Sequence, residues 1–166
     1  MYDDVLCPFD GSEGANEVLH HVSQLAHWAD ATVHLLFVAD TNRDSVTVVE
    51  NEVVDALVQE GRDIVEEGAE VLQNLGVDHE TDVVQGNPAE TIVDYADRYE
   101  HDLIVMPTRG KEGLSRYLGG SVSEKVVRLS PVPVLTTRMQ ADEELTFPYE
   151  RVLVPTDGSE AATRAV

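Results

Sequence analysis

The chain is short of positive charge. Nine arginines and two lysines face 32 aspartates and glutamates, and the formal net charge at pH 7 is −21 over 166 residues. Nucleic-acid affinity draws on cationic neutralisation of phosphates, so general nucleic-acid binding is disfavoured. The acids are spread along the sequence and form no tail, which fits a solvated acidic coat adapted to high salt, where self-repulsion is screened. Cysteine is nearly absent. Cys7 stands alone, which excludes an intrachain disulfide and a Cys-rich metal site. It sits in an apolar run and reads as a small buried hydrophobe. The six histidines (His20, His21, His27, His34, His79, His101) show no ligand spacing joined to an acid or cysteine cluster, so no metal is expected. No apolar run approaches the ~20 residues of a membrane-spanning helix. The start, MYDDVLCPFDGS, has no basic region ahead of its apolar residues. Neither a signal peptide nor a membrane anchor is read, and the cytoplasm is expected. Also missing are a G-x4-G-K-[ST] phosphate loop and an acid that stands out as a base or Mg²⁺ holder. No catalytic residue is assigned.

What is present is a hydrophobic content of 42%, enough for one globular domain with a core that hides roughly 70% of the unfolded surface. Apolar runs alternate with helical periodicity. Asp4 to Pro8 reads as a buried strand. Ser12 then caps a helix to about Trp28, with Ala15, Val18, Leu19, Val22, Leu25 and Ala26 on one face. Thr32 to Ala39 is a second, nearly continuously apolar strand. A long helix is expected from about Ser45 to Leu75, with Gly61 and Gly68 as candidate bends. Asp78 to Gln85 follows as a strand near an edge. Asn87-Pro88 opens a helix to about Tyr99, and Leu103 to Met106 is the fourth strand. A further helix turns Val122, Val126, Val127 and Leu129 inward. Pro131 stops it, and Val132 to Thr137, interrupted by Pro133, is an edge strand. Alternation of this kind means a parallel α/β sheet. Ligands of such sheets sit beyond the carboxyl ends of the strands, where the winding reverses.

Positive charge is concentrated in one place. Six of the eleven Lys and Arg residues (Arg109, Lys111, Arg116, Lys125, Arg128, Arg138) lie in a window holding only two acids, Glu112 and Glu124, for a local net of +4. The window follows a strand and is glycine-rich. Its chemistry is that of an anion site, phosphate first. Lys125 and Arg128 lie within the helix and are read as solvated or interface residues.

The sequence also repeats itself. Tyr2 to Leu19 matches Tyr149 to Val166 at a constant offset of 147, with nine of eighteen positions identical, including Asp10 to Glu13 and Asp157 to Glu160. One complete domain over residues 1–138, a linker over 139–148 and the truncated start of a second copy over 149–166 are expected. The Tyr149 to Thr156 segment is read as a strand able to join a sheet edge.

These motifs resemble the universal stress protein family: V-L-x-P-x-D-G-S at the first strand, G-N-P at Gly86 to Pro88, and D-L-I-V-M-x-x-x-G followed by G-S-V. Of the family's G-x2-G-x9-G-[S/T] signature, Gly110 and Gly120-Ser121 are present, while Pro107 occupies the first glycine position. The resemblance implies a five-stranded parallel sheet of order 3-2-1-4-5 with helices on both faces, and ATP, with Mg²⁺ as an option, between the first and fourth strands. It implies Pro8, Phe9 and Asp10 beside the nucleoside, with Asp10 accepting from ribose hydroxyls, and Val38 by the adenine. Pro107, Arg109, Gly110, Gly120, Ser121, Val122 and Ser123 are implied around the phosphates, and Met106 is implied as a further nucleotide contact. Asp10 also fits a purely turn-stabilising role. The implied function is nucleotide-dependent regulation or sensing in a stress response, without catalysis. A homodimer through Val132 to Thr137 is implied as well. The alternative is a dimeric interaction module of the same fold that binds no nucleotide, and Pro107 is a step in that direction.

Overall fold

A computed structural model describes residues 2–40, 52–108, 122–137, 147–154 and 157–159. The element order is β1 (Asp4–Pro8), α1 (Glu13–Ala29), β2 (Thr32–Ala39), α2 (Glu52–Asn74), β3 (His79–Gln85), α3 (Pro88–Arg98), β4 (Leu103–Pro107), α4 (Val122–Leu129) and β5 (Val134–Thr137). The strands form one parallel sheet in the order β3-β2-β1-β4-β5.

Alternation along the strands divides the core in two. Val5, Cys7, Val33, Leu35, Leu103 and Val105 point to one face, which α1 covers with Val18, Leu19, Val22 and Leu25 and α2 with Ile64 and Leu72. Leu6, Leu36, Ile104 and Met106 point to the other, covered by Ala89, Ile92 and Ala96 of α3 and Val126 of α4. The first two crossover helices thus pack on one face and the last two on the opposite face. Cys7 is fully enclosed, and burial pushes its thiol up to about 12, so it stays protonated and packs as a hydrophobe.

Local signals set the helix ends. The Ser12 hydroxyl accepts from Ala15 N at 3.2 Å. Asp30 closes α1 in the left-handed region at φ 59°. Pro88 occupies the first turn of α3 behind Asn87, whose side chain makes no capping bond.

Four expectations are corrected. Helix α2 runs unbroken from Glu52 to Asn74, and its glycines serve close packing. A Cβ at Gly61 would overlap the Phe37 ring, and one at Gly68 would lie 2.9 Å from Phe9 Cε1. The expected start of α2 at Ser45 falls outside the described residues. Helix α4 buries Ser123 and Val126, three apart, while Val122, Val127 and Leu129 stay exposed. Eight residues present only one stripe to the sheet. Strand β5 begins at Val134 because the two preceding residues are spent elsewhere. Val132 N donates to the Ser130 hydroxyl, and Pro133 has no N–H, though its carbonyl accepts from Ile104 N at 2.9 Å. Finally, residues 151–154 form no strand, and Val152 and Leu153 are 74% and 90% exposed.

Candidate functional site

Strand β1 lies between β2 and β4. Chain order runs outward from it in both directions, so the winding reverses between β1 and β4. The crossovers leave on opposite faces there, and in sheets of this kind ligands bind in the crevice beyond the carboxyl ends of the two strands.

The β1 side of the crevice is a tight turn. Phe9 N donates to Leu36 O at 2.9 Å, extending the ladder one residue past β1. The Phe9 ring turns into the α1–α2 side of the core and is 3% exposed. What Phe9 offers the crevice is backbone. Asp10 is half-buried, and its Oδ1 accepts from Ser12 N at 3.0 Å. This Asx turn spans Gly11 at φ 69°, a backbone conformation that suits glycine. The carboxylate is therefore oriented at the mouth of the crevice by its own loop. Asp10 thus fills the turn-stabilising role and also presents a carboxylate where β1 ends.

On the β4 side, Met106 and Pro107 are buried at the strand end. Thr108 N donates to Thr137 O at 2.9 Å, and the Ser123 hydroxyl donates to Thr108 O at 3.1 Å. Ser123 thus ties the first turn of α4 to the end of β4. Val122, at the first position of α4, is exposed. Val38 is half-buried near the end of β2 on the α3–α4 face. Arg109, Gly110, Gly120 and Ser121 lie outside the described residues. The fold sets the end of β1 (Pro8, Phe9, Asp10) beside the end of β4 (Met106, Pro107), ties the first turn of α4 (Val122, Ser123) to β4 through Thr108, and leaves Val38 one strand away.

Two contributors were not legible in the residue pattern. Thr108 supplies the backbone that fastens β4 to both β5 and α4. Thr137 is buried at the adjoining end of β5, and its hydroxyl has no hydrogen-bond partner among the described residues. Both carry a sequence signal only as polar residues ending an apolar run.

Polar groups at the opposite end of the sheet do structural work. Asp102 accepts from Asp3 N at 2.7 Å and Asp4 N at 3.1 Å, and these bonds hold its carboxyl below the usual range. His34 pairs with Asp4 at 2.8 Å, and its ring meets the buried His101 edge-on at 4.6 Å. Burial and His34 hold the His101 imidazole below its ordinary value and therefore neutral. Among the described residues, no three His, Cys, Asp or Glu side chains are arranged to hold a metal. No helix among them is long and apolar enough to cross a membrane.

The fold is that of a doubly wound α/β domain with its switch point between β1 and β4. The sequence profile of the universal stress protein family matches residues 1–138, and the chain belongs to that family. The chain is 36% identical over 143 residues to the universal stress protein of Methanothermobacter thermautotrophicus, covering 83% of this chain and 97% of that one. Its fold superposes on MJ0577 with a TM-score of 0.75 and 35% identity, over 84% and 98% of the two chains. MJ0577 is a universal stress protein of Methanocaldococcus jannaschii. At 20% identity the likeness is of fold alone: the Archaeoglobus fulgidus universal stress protein solved with dAMP gives a TM-score of 0.63 over 82% and 97% of the chains. Others of the fold have been solved with cAMP or AMP.

Proposed function

We propose that this protein is an ATP-binding sensor or regulatory domain that retains its nucleotide rather than turning it over. The observation that carries this reading is the crevice between β1 and β4, with the Asp10 carboxylate pre-oriented at its mouth by Ser12 N at 3.0 Å. In this reading Pro8, Phe9 and Asp10 flank the nucleoside, and Asp10 accepts from ribose hydroxyls. Val38 and Met106 give apolar surface. Pro107, Arg109, Gly110, Gly120, Ser121, Val122 and Ser123 surround the phosphates. Glycines there admit backbone N–H groups close to an anion, and Arg109 supplies charge in a chain otherwise hostile to anions. Mg²⁺ is an optional companion of the phosphates.

Support comes from the family, from the signature glycines and from the adenine nucleotides held by distant proteins of the same fold. Retention over turnover follows from chemistry. The sequence holds no G-x4-G-K-[ST] loop and no acid that stands out as a base, and positioning alone accelerates hydrolysis little. The same reading has the domain work in the cytoplasm as a homodimer through Val132 to Thr137. The exposed Val127 and Leu129 on α4 favour burial of that edge. It takes residues 149–166 as the opening of a second copy.

The test is direct. Denatured, purified protein is expected to release adenine nucleotide, and refolded protein to bind ATP below millimolar concentration. Gly120→Glu should abolish binding, through bulk and like charge at the phosphates, with the circular dichroism spectrum unchanged. Pro107→Gly should bind equally or more tightly. No nucleotide released and no binding at millimolar ATP would defeat the reading in favour of a nucleotide-free interaction module.

A further inference from the structure

We propose that helix α2, through Gly68 and Ile64, is the positioning element for the Asp10 carboxylate; the inference rests on the nucleotide reading above. Gly61, Ile64 and Gly68 are three and four residues apart in α2 and so lie on one face of it. That face presses on the sheet at two different places. At Gly61 it meets Phe37 of β2 and Val83 of β3. At Ile64 and Gly68 it meets the turn after β1.

Two contacts bracket Asp10. On its N-terminal side, the Phe9 ring packs against bare helix backbone, where a Gly68 Cβ would stand 2.9 Å from Phe9 Cε1 and 3.0 Å from Leu35 Cδ1. On its C-terminal side, Gly11 faces Ile64, and a Cβ there would stand 3.2 Å from Ile64 Cγ2. The turn between them cannot yield freely. Phe9 N is tied to Leu36 O at 2.9 Å, so the β2 side of Phe9 is fixed. Its ring is enclosed in the core and has only two side-chain torsions. Any push on the ring is relieved toward the Phe9–Asp10 peptide, at the carboxyl end of β1. The Asx bond to Ser12 N at 3.0 Å links the carboxylate to the same turn, so the displacement reaches it. Glycine at position 68 therefore sets the height of Asp10 above the crevice, and Ile64 holds the turn from behind.

The separation of the two contact places supplies a control. Gly68→Ala moves the ring next to Asp10. Gly61→Ala introduces a worse overlap, with Phe37, but away from the turn. Binding of ATP and of 2′,3′-dideoxyATP is measured by calorimetry on wild type, Gly68→Ala, Ile64→Val and Gly61→Ala, with thermal melts alongside. Wild type should prefer ATP by about tenfold, as expected for hydroxyls bonded to a charged acceptor. Gly68→Ala should shrink that preference by about fivefold, and Ile64→Val by about twofold, mainly through weaker ATP binding. Gly61→Ala should lower the melting temperature and keep the full preference, a split that general loosening of the domain does not produce. Full preference retained in both Gly68→Ala and Ile64→Val overturns the inference and leaves the nucleotide reading standing. Loss of preference in Gly61→Ala to the same extent also overturns it. Absence of ATP binding by wild type overturns the nucleotide reading itself and the positioning role with it.

Discussion

The turn after β1 occurs twice in this chain, and the two copies share their loop but not their strand. Asp10-Gly11-Ser12 and Asp157-Gly158-Ser159 adopt the same Asx turn. The aspartate Oδ1 accepts from the serine N at 3.0 Å in one and 2.9 Å in the other, and the glycine φ is 69° and 78°. In the second copy that bond holds the Asp157 carboxyl below its usual range. The preceding residues differ completely. Val5 and Leu6 pair with both β2 and β4, Cys7 pairs with β2, and all three are shut away from solvent. Their counterparts Val152, Leu153 and Val154 have no strand partner and lie open. A turn of this kind closes on its own side chain and needs nothing beyond three residues. A central strand is stabilised by two neighbours and two covering faces, and the same residues without them remain extended chain.

The sharpest way to break the comparison is to truncate the same residue in both copies. Leu6 is 0% exposed and Leu153 is 90% exposed. Leu6→Ala should cost about 3–4 kcal/mol of unfolding free energy, combining lost transfer energy and the cavity left between α3 and the sheet. Leu153→Ala should change stability by less than about 0.5 kcal/mol. Urea unfolding followed by circular dichroism reads both. A large cost at Leu153 would mean that the second strand is packed in solution, and the contrast between the copies would disappear.

The legibility of the sequence follows the same division. β1 and β2 were bounded to the residue, because they are short apolar runs closed by turn residues, too short for a helix. The sheet order came from family resemblance, since element alternation alone leaves several orders open. The inward face of α4 was misread. Val122, Val127 and Leu129 are apolar, but burial depends on which stripe meets the sheet, and eight residues give too little periodicity to choose. Gly61 and Gly68 were read as helix weaknesses. Their role depends on Phe37 and Phe9, residues brought alongside only by the tertiary fold. Of the candidate site, the Asp10 end was legible as a strand terminus with turn chemistry, while Pro107 came only from the family signature. Thr108 and Thr137 were not legible, since their meeting depends on the β4–β5 register.

A smaller effect concerns what holds the second copy near the first. Its lead-in docks on the outer side of α1. The Tyr149 hydroxyl and His21 Nε2 are hydrogen-bonded at 2.7 Å, Phe147 N donates to Gln24 Oε1 at 2.9 Å, and the Phe147 ring meets Trp28 edge-on at 5.3 Å. Residues 150–154, just downstream of this clasp, are exposed, so trypsin should cut after Arg151 well before it cuts after Arg98 in the folded domain. Phe147→Ala with Tyr149→Phe should remove about 1–2 kcal/mol of docking. It should speed cleavage after Arg151 several-fold and leave cleavage after Arg98 unchanged. Equal rates in wild type and variant, read by mass spectrometry of early fragments, would show that the clasp does not restrain the segment.

The least costly change tests the turn itself. Ser12 has two roles: its N–H closes the Asx turn, and its hydroxyl caps α1 through Ala15 N at 3.2 Å. Ser159 has the same N–H bond to Asp157. Ser→Ala keeps the backbone bond and removes the hydroxyl, so it separates the two roles. Ser12→Ala should lower the unfolding free energy by about 1 kcal/mol, the usual worth of an N-cap on a helix that packs against a core. Ser159→Ala should leave the cooperative unfolding transition unmoved, because residues 157–159 are exposed. Because the lost group is the same, any difference between the two variants measures what tertiary packing adds to a locally formed turn. Equal destabilisation would require a second helix docked on the domain, and the distinction between a turn that is merely formed and one that is built upon would fail.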